Sequence, residues 1–133
     1  MTVTLDTNVL LSATLWDGSV AQKLLFSLIR QDIKRYGTAD IILEYQEILE
    51  RDFDFNAQDI DQATNKIRSF LTLVQPRVKV HIVLADPDDD KIIECAIESR
   101  SGYIITYDKH LLALKEHQGI RVIKPEEART IFS

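Results

Sequence analysis

An alternation of two residue patterns leaves this chain few folds to choose from. Short apolar runs rich in β-branched residues recur at "VTL" (3–5), "VKVHIVL" (78–84), "YIIT" (103–106) and "IRVIK" (120–124). "RYGTA" (35–39) is a further short extended piece running into a turn. Between them, apolar residues return at helical spacing. Helices are expected over "TNVLLSATLW" (7–16), "VAQKLLFSLIR" (20–30) and "DIILEYQEILERDF" (40–53). Others are expected over "AQDIDQATNKIRSFLTLV" (57–74), "DPDDDKIIECAIESRS" (86–101), "DKHLLALKEH" (108–117) and "PEEARTIF" (125–132). Ser19 and the Asn56–Asp59 pair supply N-terminal caps, Pro125 a first helical residue, and Pro76 and Gly102 stops. Strands that are apolar on both sides and alternate with helices make a mostly parallel sheet covered on both faces, the α/β class. No repeat or linker interrupts residues 1–133, which read as a single domain with length enough for one sizeable core.

Composition narrows the setting. The longest apolar runs fall well short of the roughly 20 residues that span a bilayer. The opening "MTVTLDTN" lacks the basic and apolar regions of a signal peptide. The one cysteine, Cys95, cannot close an internal disulfide, which suits a reducing, cytoplasmic location. The net charge of −5 disfavours a general nucleic-acid binder, but two bound divalent cations would bring it to −1.

The acidic residues fall where a parallel sheet places a site, at the carboxyl ends of its strands. Asp6 follows "VTL", Asp108 lies two residues past "YIIT", and Asp86, Asp88, Asp89 and Asp90 follow "VKVHIVL". Singly, each is explained as a helix cap or by the helix dipole, worth about 0.3–1 kcal/mol at an exposed position. Three acidic ends on one sheet edge repel one another, and a hard divalent cation is the natural compensation. Helical periodicity distinguishes within the cluster. Asp89 lies four residues before Ile93 and seven before Ala96, so it continues the buried face. Asp88 and Asp90 lie off that face. On the third helix Glu44 borders the apolar stripe of Ile41, Tyr45 and Ile48, whereas Glu47 and Glu50 point to a solvated side.

The segments "LDTNVLLSA", "ILEYQEIL", "DPDDDKIIECA" and "YIITYDKHLL", in this order, resemble the PIN-domain family over nearly the whole chain. Within it, the chain is similar to the bacterial VapC-type toxins of toxin–antitoxin pairs. The resemblance implies a three-layer α/β/α sandwich, an acidic pocket for Mg²⁺ or Mn²⁺, metal-dependent cleavage of RNA, a homodimer, and a cognate antitoxin as protein partner. The family's acidic motif carries over onto Asp6, Glu44, Asp89 and Asp108 as metal-binding and catalytic residues, with Asn8 and Thr106 in supporting positions. Tyr107 departs from the arginine or glycine that the toxins often carry there.

Two other readings compete. A phosphoacceptor receiver module also gathers aspartates around Mg²⁺, but the Asp6-Thr7-Asn8 order and a helical Glu44 fit it poorly. A PIN-like module that binds RNA or protein without cutting it is opposed by the presence of all four acids. Ser12 and Cys95 lack a sequence neighbour that would activate them as nucleophiles. His81, His110 and His117 lack metal-ligand spacing. Lys34, Arg35, Lys66, Arg68 and Lys109 are basic residues available to RNA, although such residues are usually just solvated. Leu15, Trp16 and "LLFSLI" could line a partner groove, with core packing as the alternative.

Overall fold

The computed structural model describes residues 1–83 and 86–133. The strands are β1 (Thr2–Leu5), β2 (Lys34–Gly37), β3 (Thr72–Leu73), β4 (Tyr103–Ile105), β5 (Glu116–His117) and β6 (Ile120–Ile123). The helices are α1 (Thr7–Leu15), α2 (Val20–Arg30), α3 (Ala39–Phe53), α4 (Ala57–Phe70), α5 (Asp90–Ser99), α6 (Lys109–Leu112) and α7 (Pro125–Ile131). A 3₁₀ turn at Pro87–Asp89 leads into α5.

The strands form one sheet in the order β3-β2-β1-β4-β6-β5, parallel except for β5. The central strand β1 is buried on both sides. Leu5 meets the apolar faces of α1 and α2, through Val9, Leu10, Leu24 and Leu28. Thr4 turns to the opposite face, where its hydroxyl lies 2.9 Å from that of Ser101 and 3.8 Å from the Cys95 sulfur of α5. Helices on both faces make this the expected three-layer α/β/α arrangement of the PIN type. Chain order runs outward in opposite directions from β1 and β4, so the switch point lies between their carboxyl ends.

Several local expectations are met. Ser19 caps α2 through Gln22 N, and Asn56 with Asp59 makes a reciprocal capping box on α4. Three others are corrected. The helix expected to run to residue 74 ends at Phe70, because residues 72–73 pair alongside β2 and take the sheet edge. The helix expected over 108–117 stops at Leu112. Its second half becomes β5, folded antiparallel onto β6 through Gln118 (φ 51°) and Gly119 (φ 83°). Two successive left-handed residues make the turn that matches strand twist in a tight hairpin.

The third correction concerns "VKVHIVL". Residues 78–83 form no strand, and Leu84 lies outside the described residues. This segment instead runs as a strap along α5, whose acids at 90, 94 and 98 occupy one helix face. Arg77 N donates to Glu98 Oε1 (3.0 Å), Val80 N to Glu94 Oε2 (3.0 Å), and Ile82 N and Val83 N both to Asp90 Oδ1 (2.9 Å each). Carboxylates thus satisfy amides that a neighbouring strand would otherwise pair. Asp90 and Glu94 are correspondingly buried, not solvated acids beside a helix dipole.

Candidate metal centre

Two backbone junctions build the floor of the site. Asp6 ends β1 and caps α1, with Oδ1 accepting from Thr7 N at 2.7 Å. Asp108 lies three residues beyond β4 and caps α6, with Oδ1 accepting from His110 N (2.8 Å) and Leu111 N (3.1 Å). Because β1 and β4 are neighbours, the two ends meet at the switch point. Thr106 joins them: its hydroxyl donates to Asp6 Oδ2 at 2.6 Å and accepts from Asp108 N at 2.9 Å. Asn8 forms a second tie. Its Nδ2 donates to Asp6 Oδ2 (3.4 Å), and its Oδ1 accepts from Tyr107 N (3.1 Å). A capping aspartate can therefore also face the site, since one oxygen serves the helix and the other points toward the sheet edge.

The 3₁₀ turn and the start of α5 form the opposite wall. Asp86 is the N-cap of that turn and Asp89 its last residue. Residues three apart eclipse in a 3₁₀ helix, so both carboxylates project to one side. Oxygens of Asp86, Asp89 and Asp108 lie within 4.8 Å of one another. In sequence Asp86 reads as a cap alone, because an N-cap aspartate followed by proline at the first helical position is fully explained by the helix start. The signal that could have found it is the Asp-Pro-x-Asp spacing, which favours a tight first turn.

All four acids singled out from sequence, Asp6, Glu44, Asp89 and Asp108, line one cleft of about 550 Å³. Asn8, Asp86, Asp88, Lys91 and Arg51 line it too, and Glu47 reaches its rim despite its outward helical position. Asp6 and Glu44 stand outside the tight Asp86–Asp89–Asp108 triplet. Thr106 is fully buried beneath the cleft.

Burial and crowding shift the acids upward. Burial raises the Asp6 pKa from 3.8 to about 6, against the pull of the Thr106 hydroxyl and the Thr7 amide and with a push from Glu44 and Asp108. Asp89 rises further, to about 8, through burial first and then the charge and contact of Asp108, with Asp86 and Asp6 adding to it. Glu44 is raised by burial and eased back by Lys91 and Thr7. Asp89 Oδ2 is buried and has no hydrogen-bond partner among the described residues. Two facing carboxylates can be reconciled only by a shared proton or a cation. Every donor here is a carboxylate oxygen, and a hard-oxygen set of this kind fits Mg²⁺ or Mn²⁺ better than softer metals.

Other reactive groups are set aside by their surroundings. Burial pushes the Cys95 thiol up to about 11, leaving little thiolate at neutral pH. Arg35 donates to the carbonyls of Phe70 (2.8 Å) and Ile33 (2.6 Å), so its guanidinium braces β2.

A family model of the PIN domain matches residues 2–110. Among solved structures, the chain is similar to PAE2754 from Pyrobaculum aerophilum, with 16% identity and a TM-score of 0.65 over 99% of this chain and 89% of that one. At that identity the likeness bears on fold alone. No curated protein matches the chain.

Proposed function

Because the chain belongs to the PIN-domain family, a class of generally metal-dependent nucleases, we propose that it is an Mg²⁺- or Mn²⁺-dependent endoribonuclease and the toxin of a toxin–antitoxin pair. The observation that carries the reading is the orphaned Asp89 Oδ2, buried in a cleft where oxygens of Asp86, Asp89 and Asp108 converge within 4.8 Å. Such crowding is destabilising without a cation and useful with one. In metal-free protein the raised pKa values of Asp6 and Asp89 are its signature.

In this reading Asp89 and Asp108 hold the cation, Asp86 adds a third oxygen, and Asp6 and Glu44 complete the acidic wall. The bound cation supplies a water of lowered pKa and neutralises charge on the scissile phosphate. Thr106 and Asn8 fix the rotamer of Asp6, as hydrogen-bonded neighbours of metal ligands generally do. Glu44, its carboxyl raised by burial and eased back by Lys91, stands at the α3 side of the cleft.

The proposed partners are RNA, a cognate antitoxin and a second copy of the chain, within one domain spanning 1–133 and a cytoplasmic setting. No helix among the described residues is long and apolar enough to cross a membrane. Phe26 and Ile29 of α2, 55% and 44% exposed, are apolar residues open to a protein partner, as is Trp16 at the end of α1.

The test is cleavage of end-labelled RNA in Mg²⁺, in Mn²⁺ and in excess chelator, with an Asp6→Asn/Asp89→Asn double variant purified identically. The proposal requires cleavage that depends on metal and disappears in the variant. Cleavage that survives in the variant belongs to a contaminant, and a wild-type protein that binds RNA without cutting it is a binding module.

A further inference from the structure

One cation in the acidic cleft is not explained by the metal centre. Lys91 lies in the first turn of α5, two residues after Asp89, and lines the cleft beside the carboxylates. Arg51, also on that lining, is committed to Asp52 at 2.9 Å. Lys91 has neither an ion pair nor a side-chain hydrogen bond among the described residues. Its charge nevertheless reaches Glu44 and favours that residue's ionised form. A free ammonium here opposes a cation bound nearby, so its benefit has to come from an anion.

The structure also shows a route for that anion. Lys91 and Asp40 line a second groove of about 480 Å³ as well as the acidic cleft, so the two depressions share a lip. The second groove leads away between the start of α3 and the segment after β3. Leu73, Val74 and Pro76 give it an apolar stretch, and Lys79 stands on its lining with its ammonium 3.8 Å from Glu94. A duplex turns its bases inward and offers a groove like this only phosphates. An unpaired nucleotide offers both a phosphate for the lip and a base for the apolar stretch.

We propose that Lys91 binds a backbone phosphate of a single RNA strand at the lip between the two grooves, and that it holds the substrate at the expense of cation affinity. This rests on the ribonuclease reading and extends it to a substrate class and a positioning residue. Two ligands of opposite charge should then respond to Lys91 in opposite directions. A purely structural lysine, pairing with Glu44 to hold the cleft together, would move both the same way.

The variants are Lys91→Met, which keeps the stem and removes the charge, and Lys91→Arg, which keeps the charge. Fluorescence anisotropy with a labelled single-stranded oligoribonucleotide, in Ca²⁺ to keep the RNA intact, gives Kd from about 50 to 200 mM salt, a range over which phosphate contacts register. Thermal shift against Mg²⁺ without RNA gives the metal midpoint. Lys91→Met should weaken single-strand binding about fivefold to tenfold and flatten the log Kd against log salt slope by about 0.7, the share of one phosphate contact. The Mg²⁺ midpoint should fall severalfold in the same variant, and Lys91→Arg should restore RNA binding. An unchanged salt slope, or Mg²⁺ and RNA affinities that weaken together, overturns the inference. An equal loss for a blunt duplex overturns its single-strand part. If the opposite responses appear but wild-type protein cuts no RNA, the inference stands and the ribonuclease reading falls. Metal-dependent cleavage with an unaltered Lys91→Met slope overturns the inference and leaves the ribonuclease reading standing, and wild-type protein that binds no RNA removes both.

Discussion

The stability of the metal-free protein should fall as pH rises through the range in which Asp6 loses its proton. Asp6 is nearly fully buried, and its carboxyl moves from 3.8 to about 6 on folding. The folded state therefore holds this proton more tightly than the unfolded chain does. Its contribution to stability is intact below pH 3.8 and declines up to about pH 6. The interval corresponds to about 3 kcal/mol, since tenfold in proton affinity is about 1.4 kcal/mol. For a domain of this size that is roughly 10 °C in Tm. Thermal unfolding in chelator from about pH 4 to 8, on wild type and Asp6→Asn, isolates the residue. The variant loses an acceptor for the Thr106 hydroxyl, a cost of about 1 kcal/mol that is nearly independent of pH. It also carries no ionisation penalty. The two Tm curves should cross near about pH 4.5, where the ionisation penalty reaches that cost, with the variant more stable on the alkaline side. Parallel curves would refute the reasoning, because Asp6 would then ionise at no cost inside the fold.

Three further outcomes are expected. At about pH 8, Mg²⁺ at roughly a hundredfold its Kd should stabilise the wild type by about 2.7 kcal/mol; differential scanning fluorimetry should show most of this lost in Asp89→Asn and retained in the exposed Glu50→Gln. Asp90→Ala removes the acceptor of the Ile82 and Val83 amides and should cost about 2–4 kcal/mol in urea unfolding; hydrogen exchange should show those two amides losing protection first, and unchanged protection would mean that the strap is held by other contacts. Thr106→Val should leave the fold in place and weaken Mg²⁺ binding about 10- to 100-fold, read by calorimetric titration, because it frees Asp6 Oδ2 and Asp108 N together.

Much of the architecture is legible in the sequence because it rests on patterns with a physical period. β1, β4 and β6 are short runs rich in β-branched residues and largely buried, as central parallel strands are. The helices α2, α3 and α5 carry apolar stripes that admit one packing direction. What escapes is chemistry without a period. Residues 78–83 alternate as a strand does, but their partners are the side chains of Asp90, Glu94 and Glu98. In sequence those acids look like a solvated helix face. The β5–β6 hairpin is hidden inside a run rich in helix formers, and Gln118-Gly119 is its one signal. At the candidate site, Asp6, Glu44, Asp89 and Asp108 can be named because sheet edges and helix faces are predictable. Asp86 cannot, because an aspartate in the N-cap position before a proline is already accounted for by the helix start. Lys91 cannot either, since a lysine in a first turn has no distinguishing pattern until the cleft beside it is seen.

The strap has a consequence for how this chain tolerates change. A β-strand records its own position: its alternation decides which residues face the core, and a slip of one residue is penalised all along it. Between residues 77 and 83 the position is recorded elsewhere, in three acids spaced four apart on α5. Those acids contact backbone amides, which every residue except proline possesses. Substitutions at exposed Val78, Lys79 and His81 should therefore be absorbed freely, whereas loss of one helix acid should detach the strap locally. In a mutational scan, the course of residues 77–83 would be most sensitive at positions outside that segment, and proline at 80, 82 or 83 would mimic the loss of the matching acid.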